Sequence, residues 1–207
     1  WQVNNAVFSI RPGERELVEL PPVLMADTCF VVNSFGRAPL HVADQDICLD
    51  FIEWAGQNSV FLVSGHIFDD LRGIAVKSIY EQEAANRGLG KGRWRDLFNK
   101  DKGLMSDVHN EIVRIKEAVH KAPAFEYVEY TADELFDDLT TRIMCKLGLN
   151  SMDAKLVAIG QRWGSNSVVT FDEDFAFAGG LNIFSSSWLV LRHRKDGLNQ
   201  PIPFKPL

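Results

Sequence analysis

Six aspartates occupy positions where acids can be brought together. Asp27 interrupts the apolar run Val23–Ser34, where an unpaired carboxylate costs on the order of several kcal/mol to desolvate. No turn residues flank it, so its expected place is a strand end facing a site rather than the cap of a turn. Asp69 and Asp70 follow the apolar run Ser59–Ser64 and the break at Gly65. Asp153 opens an amphipathic stretch, and Asp172 and Asp174 follow Val168, Val169 and Thr170. In an open α/β sheet, ligands gather where strands end at their carboxyl edge and helices begin. Asp27, Asp70, Asp153 and Asp172 would all reach that edge, with Asp174 close by. Carboxylates crowded together cannot all stay ionised without a compensating cation. Oxygen-only ligands suit Mg2+ or Mn2+, ions that activate water and neutralise phosphoryl oxygens. The chemistry predicted is metal-assisted phosphodiester hydrolysis. For Asp69 and Asp70 a simpler reading competes, because acids in the first turn of a helix are favoured by its dipole alone.

The elements that must position these acids alternate strand and helix from Leu24 to Phe184. That alternation predicts an α/β fold of three layers, α/β/α, around a mostly parallel central sheet. Residues 1–22 read as two strands, Gln2–Ile10 and Glu16–Leu20, joined by a turn at Arg11-Pro12-Gly13-Glu14. They predict an N-terminal β-hairpin, or extra edge strands, packed on the body formed by residues 23–207. A helix is expected over Ala43–Asn58 with Asp44 as its cap, and another after Gly65 carrying Ile67, Leu71 and Ile74 on one face. Phe125–Tyr130 reads as a strand, and Thr131 with Glu134 as the capping box of a helix ending at Gly148. Leu181–Phe184 and Trp188–Arg192 read as two last strands, and Pro201–Leu207 as an extended surface tail.

Residues 83–122 depart from the rest. Between Arg87 and Lys102 stand six basic residues, Arg87, Lys91, Arg93, Arg95, Lys100 and Lys102, against two acids. Trp94 and Phe98 are interleaved with them, and Gly88, Gly90 and Gly92 predict a flexible loop before a helix over Leu104–Lys121. A basic, aromatic-containing loop is a candidate for phosphate contact and base stacking, with a solvated surface loop as the plainer reading. The apolar face of the 104–121 helix is expected to be core, with dimerisation or receipt of an inhibitor as the alternative.

Composition bounds the rest. The 207 residues carry a net charge of −6, which argues against coating nucleic acid through the whole surface but leaves room for a local basic patch. No run approaches the ~20 apolar residues of a spanning helix. Cys29, Cys48 and Cys145 are too far apart for a zinc site or a disulfide framework, so they are expected as free thiols in a reducing, cytoplasmic compartment. Trp1 in first place reads as the start of a trimmed chain or of a domain from a longer one. His41, His66, His109, His120 and His193 pair with no nucleophile motif, and no Walker or dinucleotide glycine pattern is present. Dehalogenase-type and von Willebrand-type acid sites fail at Cys29 and Val31, where those folds need Asp or Ser.

At these residues the sequence resembles the PIN-domain ribonucleases over about residues 24–186. Asp27-Thr28 is similar to their opening Asp-Thr, and Asp70-Leu71 to their acidic-Leu pair. Asp153 with Ala154 and Ala158 resembles their third acid on a small-residue helix. Thr170-Phe171-Asp172-Glu173-Asp174-Phe175 is similar to their closing Thr-x-Asp-x-Asp-Phe. The resemblance implies Mg2+ or Mn2+ held by Asp27, Asp70, Asp153 and Asp172, with Asp174 as an accessory ligand. Thr28 and Thr170 would support the site, and Thr170 would orient a carboxylate or a water. It further implies cleavage of RNA, and in the toxin-type members a neutralising antitoxin or other inhibitor protein. Two departures stand out. Cys29 replaces the usual Asn or Ser, and Asp70 replaces the usual Glu, reaching about one methylene less far, with Asp69 as the alternative ligand. A PIN-like scaffold without catalysis, binding RNA or a protein, is the competing reading.

Overall fold

Six strands form one sheet in the computed structural model of the protein, which describes residues 5–15, 19–37, 40, 43–131, 133–194 and 200–206. They are β1 (Ala6–Ser9), β2 (Val23–Ala26), β3 (Val60–Ser64), β4 (Phe125–Val128), β5 (Ser167–Val169) and β6 (Asn182–Ser185). Their spatial order is β1-β6-β5-β2-β3-β4, and every pairing is parallel. Strands of such a sheet are covered on both faces and read as unbroken apolar runs. Leu24-Met25-Ala26 and Phe61-Leu62-Val63 are of this kind, and all six residues are buried.

Among the described residues nine α-helices flank the strands: α1 (Thr28–Phe35), α2 (Gln45–Ala55), α3 (Gly65–Asn86), α4 (Trp94–Lys100), α5 (Met105–Lys121), α6 (Glu134–Leu147), α7 (Ser151–Arg162), α8 (Asp174–Phe177) and α9 (Trp188–Leu191). α1, α3 and α5 pack on one another, and α6 packs on α7, which lies on β2. The result is the three-layer α/β/α arrangement expected, around an all-parallel sheet. No helix among the described residues is long and apolar enough to cross a membrane.

The order of winding locates the site. From β2 the chain moves outward through β3 to β4, then returns to β5 on the other flank of β2 and continues to β6. The direction of winding therefore reverses between β2 and β5, and a crevice opens at their carboxyl ends. α7 approaches β2 closely at Gly160, where a Cβ would stand 2.0 Å from Met25 Sδ.

Several expectations are met in part or corrected. Of the two alternatives for the N-terminal residues, β1 takes that of an extra edge strand on the main sheet, parallel to β6. The turn itself forms, with Gly13 at φ 80 and Glu14 N donating to Arg11 O at 3.1 Å. Of the expected second strand, residues 16–18 lie outside the described residues and Glu19 and Leu20 are irregular. Trp188–Arg192 is not a strand, since α9 forms there and the sheet position beside β6 is taken by β1. A short apolar run does not distinguish the two by periodicity. α3 starts at Gly65, so Asp69 and Asp70 lie beyond its first turn. Asp133 rather than Thr131 caps α6, accepting from Phe136 N at 2.7 Å. Asp44 precedes α2 without a side-chain cap and accepts from Ser186 Oγ at 2.7 Å instead.

The basic segment is also not a loop. α3 runs on to Asn86, and Gly88 and Gly90, at φ 71 and 78, turn the chain back into a 3-10 turn at Lys91–Arg93 and then α4. Phe98 packs edge-on against Tyr80, whose hydroxyl donates to Asp101 O at 2.9 Å. The unit is a helical hairpin folded onto α3.

Candidate metal centre

The centre is built from the ends of β2 and β5. Asp27 terminates β2 and at once becomes the cap of α1, with its Oδ1 accepting from Thr28 N at 2.6 Å. Asp27 thus stands at the strand end, as expected, and what it caps is a helix rather than a turn. Its Oδ2 accepts from Thr170 Oγ1 at 2.7 Å and from Cys29 Sγ at 2.8 Å. Thr170, fully buried just after β5, also accepts from Asp172 N at 2.9 Å, and so ties the two strand ends together. Asp172 in turn accepts from Asp174 N at 2.9 Å through its Oδ1.

Asp153 arrives from the start of α7. Asn150 caps that helix, its Oδ1 accepting from Met152 N at 2.9 Å and Asp153 N at 3.0 Å. The same side chain donates from Nδ2 to Asp153 Oδ2 at 2.7 Å, which aims the carboxylate. Asp153, Asp172 and Asp174 each offer an oxygen within 4.8 Å of the others. Asp153 is 8% exposed, and its partners are more open to solvent.

Electrostatics show the strain of this grouping. Burial, with the charges of Asp27, Asp172, Asp174 and Asp70 added, pushes the Asp153 carboxyl up to about 7. Burial also raises Asp27, against the opposing hydrogen bonds of Cys29, Thr170 and Thr28. The Cys29 thiol is held well above its ordinary value by burial and by Asp27, so it donates as a neutral S–H. Its sulfur meanwhile accepts from Phe171 N at 3.0 Å.

The acids fit a hard divalent cation. The donor set is oxygen only, and separations within 4.8 Å fit the ~4–5 Å span of a coordination sphere with oxygens at ~2.1–2.5 Å. Asp27 stands beside the triad as its braced neighbour. Asp70 is exposed on α3 and close enough for its charge to raise Asp153. Asp69 points elsewhere: it pairs with Arg72 and lines a separate depression with Lys116, Tyr127 and Tyr130. Of the two adjacent acids, Asp70 is the one whose charge acts on Asp153, while the close triad is Asp153, Asp172 and Asp174.

The basic hairpin folds back on α3. Trp94, Arg95 and Phe98 line one groove with Arg72, Gly73 and Val76. Gly73 lies one helical turn from Asp70. Arg95 sits 5.2 Å from the Trp94 ring, and Lys102 Nζ 3.3 Å from the Phe98 ring centroid. Arg87 is held by Glu83 at 2.6 Å and Asp101 at 2.8 Å, and Arg93 by Asp96 at 2.5 Å. Lys91 and Lys100 are exposed on the same hairpin.

Two contributors escaped the sequence reading. Cys29 counted there only as a free thiol and a departure from pattern, yet it is a donor to Asp27. Asn150 had a legible signal, being a good capping residue three positions before Asp153. His66 is buried, and burial pushes it down to about 4, as suits a neutral core histidine. A cavity of about 320 Å3 lies at the opposite, amino edge of the sheet, between Val23, Ser167 and Asn182, away from the acids.

No family model matches the chain, and no curated protein matches it. Among solved structures it is similar to the crystal structure of VapBC2 from Rickettsia felis bound to a DNA fragment from their promoter. That likeness has a TM-score of 0.47 at 14% identity and covers 79% of this chain and 98% of the other. A likeness of this size decides nothing about chemistry, and the site stands on its own geometry.

Proposed function

We propose that the chain is a metal-dependent endoribonuclease that hydrolyses RNA phosphodiester bonds at the carboxyl edge of its sheet. The observation that carries this reading is the convergence of Asp27, Asp153, Asp172 and Asp174, with Asp70 in electrostatic range, at the point where the winding reverses. In this reading Asp153, Asp172 and Asp174 hold Mg2+ or Mn2+, and Asp27 and Asp70 complete the acidic edge. A divalent cation there supplies charge neutralisation for the phosphoryl oxygens and activation of the attacking water.

The protein's own residues do the positioning. Thr170 and Cys29 fix the Asp27 carboxylate, and Thr170 carries that order to the Asp172 backbone. Asn150 holds Asp153 in place, and Asp153 must shed its proton before it can act as a ligand. The groove with Trp94, Arg95 and Arg72 would hold the strand by phosphate contact and stacking, with Lys91, Lys100 and Lys102 adding positive charge. Arg87 and Arg93 would join only by leaving their present acidic partners.

The test is cleavage of a mixed pool of single-stranded and structured RNAs with Mn2+, with EDTA, and with Asp172→Asn. Metal-dependent cleavage lost in the variant is the expected result. A folded protein that neither cleaves nor gains thermal stability from Mn2+ would turn the assignment to a non-catalytic scaffold.

A further inference from the structure

Beyond the acids, α8 and α9 expose a cluster that the proposed chemistry does not use. Phe177 is 55% exposed and Trp188 66%, and Leu189 beside Trp188 is also exposed. Their neighbours Phe175 and Val190 are fully buried and anchor the two short helices, so the core does not need the exposed rings. Asp174 and Phe177 lie three residues apart on α8, which puts them on one face. Glu173, between the two site acids, accepts from Arg192 Nε at 3.0 Å and contacts His193 Nε2 at 2.6 Å. The His193 ring meets the Phe177 ring at 4.9 Å, and Arg192 lies 6.0 Å from the Trp188 ring. A continuous path therefore runs from the acids through Phe177 and His193 to Arg192 and Trp188.

We propose that Phe177 and Trp188 form a stacking platform for unpaired bases of a single-stranded RNA whose phosphodiester lies at the acidic edge. The proposal rests on the nuclease reading of that edge. Planar exposed rings take the faces of unpaired bases whatever their sequence. Arg192, beside the Trp188 ring and now paired with Glu173, is a permanent cation next to the platform, and a phosphate backbone would compete with Glu173 for it. Duplex RNA, with its bases already stacked, would gain nothing from the platform. It would thus act in substrate choice, favouring single-stranded over duplex RNA, and it lies on a surface distinct from the α4 groove.

The test is fluorescence polarisation of a fluorescein-labelled oligouridylate in EDTA at low salt, so that binding is read without cleavage. Trp188→Ala and Phe177→Ala are each expected to weaken binding by about tenfold. Trp188→Phe should retain most of the affinity, the melting temperatures should be unchanged, and an abasic oligomer should bind every variant alike. Equal binding by wild type and both alanine variants overturns the platform, and so does a wild type that binds no oligomer. Self-association that is lost in Trp188→Ala would give the surface to a second copy and overturn it as well. Mn2+-dependent cleavage is scored separately. Cleavage equal in wild type and Trp188→Ala but lost in Asp172→Asn removes the platform and keeps the nuclease. Ring-dependent binding with no cleavage removes the nuclease and keeps the platform.

Discussion

Asp153 is the residue on which the behaviour of the acidic edge turns. Its carboxyl is raised from 3.8 to about 7 by burial and by four neighbouring acids. Between those values the folded protein holds a proton that the unfolded chain has lost. Raising the pH through that window strips the proton from the native state, so stability without metal must fall across it and level off above about 7. A divalent cation reverses the balance, because it binds the ionised form and releases the proton. Melting scans in EDTA across the window should show the decline in wild type and a much flatter profile in Asp153→Asn. Mn2+ should raise the wild-type melting temperature above pH 7 more than at pH 5. An Asp153→Asn profile as steep as wild type would place the titration elsewhere.

At the scale of elements, the decisive contact is α7 against β2. Asp153 reaches Asp27 only because α7 comes close at Gly160, against the fully buried Met25. Gly160→Val sets two effects against each other. A valine recovers at most about a few tenths of a kcal/mol of helix propensity relative to glycine. Overpacking a core typically costs about 1–3 kcal/mol, and here the added Cβ alone would stand 2.0 Å from the Met25 sulfur. Packing wins, and the expected outcome is a melting temperature lower by a few degrees together with a smaller Mn2+-dependent rise. Calorimetry with and without Mn2+ reads both, and a stabilised variant would show that α7 has room to move.

For the whole molecule the question is how a chain of net charge −6 would hold the proposed RNA at an edge made of acids. The α3–α4 hairpin offers one answer, since it brings Arg95 and Trp94 back to Arg72 near the Asp70 turn. Replacing Arg93 and Arg95 by Ala should weaken RNA binding for all sequences alike and make its salt dependence shallower. Arg95 should account for most of the change, because Arg93 is engaged with Asp96. Binding titrations at several salt concentrations supply the slope, and an unaltered slope would take the hairpin out of substrate contact.

Much of this protein was open to reading from its sequence alone. The strand–helix alternation and the buried apolar runs determined the layered parallel sheet, because such strands carry their burial in their composition. The acids at strand ends and helix starts were visible for the same local reason. Tertiary structure decided what local pattern cannot carry. It placed β1 as a parallel edge strand beside β6, and that pairing left Trp188–Leu191 to become a helix. It separated Asp70 from Asp69, since only the set of the long α3 shows which adjacent carboxylate feels Asp153. It turned the glycine-punctuated basic segment into a hairpin folded on α3, through contacts such as Phe98 with Tyr80. It also tied Cys29 into the site, for its sulfur meets Phe171 N and Thr170 Oγ1 only when β5 is brought alongside.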